Sequence, residues 1–94
     1  MNDNLLSELK SFLNFTWKDE NREARIVGYC LSSIQYLEEV ADETIDFDTD
    51  MLARDLLFNR VLYMDSQALN DFNNNYNQML EELKIKYLKE TEWK

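Results

Sequence analysis

The sequence predicts an all-α protein: a small bundle of about four helices, with a central buried third helix and a long C-terminal helix. Three observations carry this. The 94 residues contain no proline and a single glycine, Gly28, whereas a sheet protein needs residues that tolerate positive φ at every tight hairpin. Apolar residues make up 45% of the chain, enough for a folded core. They recur at spacings of three and four, the period of one helix face. A chain this short holds one domain, residues 1–94, and buries roughly 60–65% of its unfolded surface.

The first helix is expected from Asn4 to Leu13, with Asp3 as N-cap and Leu5, Leu6, Leu9, Phe12 and Leu13 on one face. Asn14 to Lys18 break the pattern, and Asp19 and Glu20 place negative charge where a helix N-terminus favours it. The second helix runs from about Asp19 to Ala41 on the stripe Val27, Cys30, Ile34, Leu37 and Ala41. Gly28, inside it, costs about 1 kcal/mol relative to alanine, and close packing against another helix is the expected reason. Between Glu38 and Asp50 lie seven acids and no base, so a loop is expected there. Asp48 or Thr49 caps the third helix, Met51 to Tyr63, which is apolar nearly all round and hence the central element. Asp50 and Arg54, four apart, are placed to pair on its surface. Asp65 or Ser66 caps the fourth helix, where Leu69, Phe72, Tyr76, Met79 and Leu83 form a heptad-like seam continuing to Tyr87. At about 24 residues and roughly 36 Å this helix exceeds the needs of one small core, so part of it is expected to project.

Nineteen acids against ten bases give a net charge of −9. Nucleic-acid binders gain affinity by setting Lys and Arg against phosphates, so tight DNA or RNA binding is not expected, nor is docking on an anionic membrane. The opening MNDNLLSELK has no cationic region followed by an apolar stretch, so a cytoplasmic origin is expected. No apolar run approaches a bilayer-spanning length.

Histidine is absent, which removes the commonest general base and metal ligand. With one glycine there is no glycine-rich phosphate loop. Cys30, the single cysteine, lies on an apolar stripe and reads as a small buried hydrophobe. Asp46-Phe47-Asp48-Thr49-Asp50 copies the opening of a calcium loop, but Met51 and Leu57 stand where that loop needs glycine and a bidentate glutamate. Glu81 and Glu82 are adjacent on a helix and diverge by about 100°, so they cannot share a substrate. The expectation is a protein that is not an enzyme and has no catalytic, cofactor or metal site and no small-molecule substrate. Twelve aromatics (five Phe, five Tyr, two Trp) exceed what the core needs. Phe58 and Phe72 are assigned to the core. Trp17, Tyr76, Tyr87 and Trp93 are the candidate protein-interface residues, although core packing is the default for Tyr76.

Thr44-Ile45-Asp46-Phe47-Asp48, and then Ala53-Arg54-Asp55-Leu56-Leu57-Phe58-Asn59-Arg60-Val61-Leu62-Tyr63, resemble the centre of the tailed-phage head–tail connector family, the small head-completion proteins often described as DNA-packaging adaptors. Ala68 to Phe72, Asn75-Tyr76 and Leu83 to Tyr87 are similar to that family's closing helix. The resemblance covers roughly the C-terminal half and is sharpest at Leu56-Leu57-x-Asn59-Arg60-Val61-x-Tyr63. A glycine expected after the second helix is missing, so that turn must be built differently.

The resemblance implies a structural virion or prophage protein, made in the bacterial cytoplasm. Its copies would form a homo-oligomeric ring beneath the portal protein and present a platform to a tail-side completion protein. DNA would pass through without specific binding. About a dozen copies at −9 each would carry about a hundred negative charges, and acids lining a channel repel phosphates and let the duplex slide. Glu38, Glu39, Asp42 and Glu43 are the candidate channel surface. Two other readings stand beside this one. A small acidic helical module could dimerise through the fourth-helix seam as a regulator, or could mimic DNA to inhibit a basic protein.

Overall fold

In the computed structural model, which describes residues 3–13 and 20–88, the described chain is helical throughout apart from its connections. The helices are α1 (Asp3–Phe12), α2 (Glu20–Ala41), α3 (Met51–Asp65) and α4 (Leu69–Lys86). α3 is central, packed against both α2 and α4. Its Leu56, Leu57 and Val61 are fully buried, and each such side chain stabilises the fold by about 1.5–3 kcal/mol through removal from water.

α1 lies over the same core through Leu5 and Leu9. It is fastened by an ion pair between Glu8 and Arg54 and by the rings of Phe12 and Phe58, 5.5 Å apart. α1 begins at Asp3 itself, one residue earlier than expected.

On α2 the buried stripe is Ile26, Cys30, Ser33, Leu37 and Ala41. Val27 and Ile34 are only half-buried, so the stripe is rotated from the expected one. The cause lies on α3, where a buried arginine draws Ser33 inward. Gly28 does not serve close packing: it is exposed, and a Cβ added there would meet nothing within 4 Å.

Both expected caps of α3 and α4 are corrected. Asp50, not Asp48 or Thr49, caps α3, accepting the Ala53 amide at 3.1 Å. Asp50 is also buried and does not pair with Arg54, which turns instead to Glu8 and Asp48. Asp65 and Ser66 belong to the end of α3, and α4 starts after Ala68 with no side-chain cap.

The turns after α2 and α3 share one design. Each closes with an amide reaching back five residues, Glu43 to the Glu38 carbonyl (3.2 Å) and Ala68 to the Tyr63 carbonyl (2.8 Å). Such a turn needs a left-handed residue after the helix. Asp42 (φ 55°) and Gln67 (φ 58°) supply it where glycine is the usual choice. Asp42 is therefore how the first turn is built without the expected glycine.

α4 spans 18 residues, shorter than expected, and does not project through Tyr87. Its seam is used within the chain: Phe72 and Leu83 are buried, and Tyr76, Met79 and Tyr87 pack against the core.

Candidate functional site

The acids predicted to form a functional surface gather where α2 ends. Glu38, Glu39, Asp42 and Glu43 line a cleft of about 530 Å³ together with Leu31 and Ile34. Their roles differ. Glu38 is half-buried and its Oε2 accepts the Ile45 amide at 3.0 Å. That bond holds the following loop against the body while Ile45 and Phe47 insert into the core. Glu38 is thus a brace for the loop as much as a surface charge. Glu39, Asp42 and Glu43 are exposed. Glu39 accepts a hydrogen bond from Gln35 of its own helix (3.5 Å), and Glu43 accepts the neighbouring Thr44 amide (3.2 Å). Among the described residues no lysine or arginine forms an ion pair with any of these four.

The loop acids have structural work instead. Asp46 Oδ1 accepts the Asp48 amide at 3.0 Å, an Asx turn, and the Asp46 carbonyl accepts the Asp50 amide at 2.9 Å. Asp50 then receives Lys86 Nζ (2.8 Å) and the Tyr87 hydroxyl (2.6 Å) from the end of α4. Burial alone would push the Asp50 carboxyl up, but the bonds from Lys86, Tyr87 and the Ala53 amide outweigh it, and it lies below its ordinary range. Tyr87 moves the other way. Burial, then the Asp50 bond and the nearby charges of Asp50, Asp46 and Glu43, push its phenol up to about 12.

Of the candidate interface aromatics, Trp17 and Trp93 lie outside the described residues. Tyr76 is stacked on Phe72 (4.9 Å between centroids) and edge-on to Tyr63 (5.7 Å). Tyr87 is tied to Asp50. Both are half-buried in the chain's own packing, which leaves only part of each ring for a partner.

Arg60 belongs to the Leu56–Tyr63 block noted in the sequence, but no role was assigned to it there. It is 9% exposed, and its Nη1 donates to Ser33 Oγ at 2.9 Å. The guanidinium lies 4.3 Å from the Tyr36 ring centroid, while its Nε has no acceptor. No carboxylate of the described residues pairs with it. Burial lowers its pKa, and stacking on Tyr36 replaces part of the lost hydration. The sequence sign of its burial is that Leu56, Leu57, Tyr63 and Met64, three and four residues away on the same helix face, carry no charge. Cys30 is fully buried, and burial pushes its thiol up to about 11, away from nucleophilic use.

Comparison of the chain with protein-family models, with curated proteins and with solved structures returned no match. The site is therefore read from its own chemistry. Among the described residues no group of three His, Cys, Asp or Glu side chains is placed to hold a metal ion, and no helix is long and apolar enough to cross a membrane. Among the described residues the most distinctive surface is a run of acids without ion-pair partners at the end of α2, beside the exposed Leu31.

Proposed function

We propose that this chain is a structural subunit of a phage or prophage head–tail connector, assembling as a ring between a portal protein and a tail-side completion protein. The observation that carries the reading is the acidic end of α2. Glu39, Asp42 and Glu43 share one exposed surface, and among the described residues no lysine or arginine forms an ion pair with them. In a single copy such a cluster is unfavourable self-repulsion. Repeated around a ring it becomes a wall that repels phosphates and keeps DNA from sticking.

The residues that resemble the family support the same reading. Leu56, Leu57 and Val61 build the centre of the bundle, and Arg60 and Tyr63 hold α2 and α4 against it. The dimerising alternative depends on the α4 seam, and that seam is packed against α3 in the chain itself. The reading assigns no catalytic step, no cofactor and no specific contact to DNA bases. Its place of action is the virion.

The experiment neutralises the exposed acids, Glu39→Gln, Asp42→Asn and Glu43→Gln together, and leaves the bracing Glu38 intact. Assembled particles carrying this variant eject DNA more slowly than wild type, with the difference shrinking as salt rises. Ejection at the wild-type rate at low salt contradicts the channel assignment.

A further inference from the structure

We propose that Met64 is a site of reversible oxidation by peroxide, whose sulfoxide oxygen takes the hydrogen bonds that Arg60 and Ser33 otherwise make to sulfur. The proposal does not depend on the ring reading. It starts from a buried cluster in which the donors end on a weak acceptor. Arg60 Nη1 donates to Ser33 Oγ at 2.9 Å and to Met64 Sδ at 3.5 Å. The Ser33 hydroxyl donates to the same sulfur, also at 3.5 Å. Two donors thus converge on a thioether, among the poorest acceptors a side chain offers. Ser33 is fully buried, and Arg60 Nε is buried without an acceptor. Among the described residues no carboxylate pairs with the guanidinium.

Oxidation supplies the stronger acceptor. A sulfur lone pair attacks one oxygen of hydrogen peroxide, and the S–O bond forms as the O–O bond breaks. The proton on the transferred oxygen passes to the departing one, which leaves as water. Sulfur is oxidised by two electrons and the peroxide is reduced by two. Met64 is half-buried in the last turn of α3, open to an oxidant as small as peroxide. Its side chain has three rotatable bonds and can shift to seat the added oxygen beside Arg60 and Ser33.

The surroundings decide what the new oxygen does to the fold. A sulfoxide among apolar groups is a polar atom without a donor, and it loosens a core. Met79, packed against the apolar cluster, is in that position. Met64 is not, because a buried cation and a buried hydroxyl already point at its sulfur. Ser33 lies on α2 while Arg60 and Met64 lie on α3, so an oxygen that accepts from both donors ties the two helices together. Oxidation at this one methionine therefore holds the bundle rather than damaging it.

The test uses the full chain carrying Met51→Leu and Met79→Leu, conservative changes that leave Met64 the one methionine among the described residues. The folded chain is treated with hydrogen peroxide. Peptide mass spectrometry reads oxygen at Met64, and thermal unfolding followed by circular dichroism reads stability. Met64 is oxidised, the unfolding midpoint stays level or rises, and the two methionine sulfoxide reductases together restore the starting mass. With Arg60→Leu added, the same oxidation lowers the midpoint by roughly 4–8 °C. A Met64 that resists peroxide in the folded chain, a sulfoxide the reductases cannot remove, or a midpoint that falls while Arg60 is present overturns the proposal. Where Arg60→Leu does not fold, Met64→Gln, which carries an oxygen acceptor without peroxide, is compared with Met64→Leu. A higher midpoint for the glutamine supports the proposal, and an equal or lower one overturns it.

Discussion

The Tyr87 hydroxyl donates a 2.6 Å hydrogen bond to Asp50 Oδ2, joining the end of α4 to the start of α3 across 37 residues of sequence. Asp50 is at once the N-cap of α3 and the acceptor of Lys86 and Tyr87, and it is 6% exposed. Removing it loses a cap, worth about 1 kcal/mol, and leaves a lysine and a phenol without their acceptor. Asp50→Ala is therefore expected to destabilise the fold by about 3 kcal/mol, and Tyr87→Phe by about 1 kcal/mol. Urea unfolding followed by circular dichroism measures both. Equal effects would show that the Tyr87 bond, rather than the cap, dominates.

The same cluster gives the protein a stability plateau. Asp50 lies below its usual 3.8 in the fold, so its contribution is present above about pH 4 and is lost as pH falls through the folded value. Cys30 and Tyr87 are raised from 9.0 to about 11 and from 10.0 to about 12, so the fold favours their protonated forms. Their contribution is complete below pH 9 and is lost as pH rises towards 12. Urea midpoints should thus be flat near neutrality and fall on both sides. Tyr87→Phe should make the alkaline fall between pH 10 and 12 shallower. An unchanged alkaline slope would remove Tyr87 from this account.

Glycine sits in this chain where no turn needs it and is missing where two turns do. Gly28 is exposed in the interior of α2 with open space at its Cβ position. Gly28→Ala should stabilise the protein by about 1 kcal/mol through helix propensity alone. Gln67 holds a left-handed φ of 58° with its side chain exposed. Gln67→Gly should stabilise by about 0.5–1 kcal/mol, by relieving that conformation at the end of α3. Thermal unfolding of the two variants and their double tests both, and the effects should add, since the sites lie on different elements.

Arg60 separates stacking from charge. Arg60→Met keeps an apolar stem beside Tyr36 and Met64 and removes a buried cation that lacks a carboxylate, so its stability should stay within about 1 kcal/mol of wild type. Arg60→Lys keeps the charge but loses the flat stack on Tyr36 and the reach to Ser33, and should cost about 2 kcal/mol. The reverse order in urea unfolding would mean that the charge of Arg60, and not its stack on Tyr36, is what the fold uses.

Much of the fold was legible because its signals are local. The apolar run from Met51 to Tyr63 named α3 as the centre, and the burst of acids from Glu38 to Asp50 marked the loop. What could not be read depended on distant partners. The local pattern pointed to Asp48 or Thr49 as the cap of α3, and the cap is Asp50, which Lys86 and Tyr87 at the end of α4 hold in place. Ser33 is no core residue by type, and Arg60 makes it one. The acidic cluster of the candidate site was visible as composition. The division of labour within it, with Glu38 bracing Ile45 while Glu39, Asp42 and Glu43 stay exposed, required the fold.

The central claim is that this chain forms a ring, and its oligomeric state tests that most directly. Light scattering on the purified chain across a concentration series, with and without a purified phage portal ring, should show a monomer at low concentration. Raising the concentration or adding the portal should convert it to a single closed species of many copies. A strict dimer at every concentration, or a monomer unaffected by concentration and portal, would contradict the account.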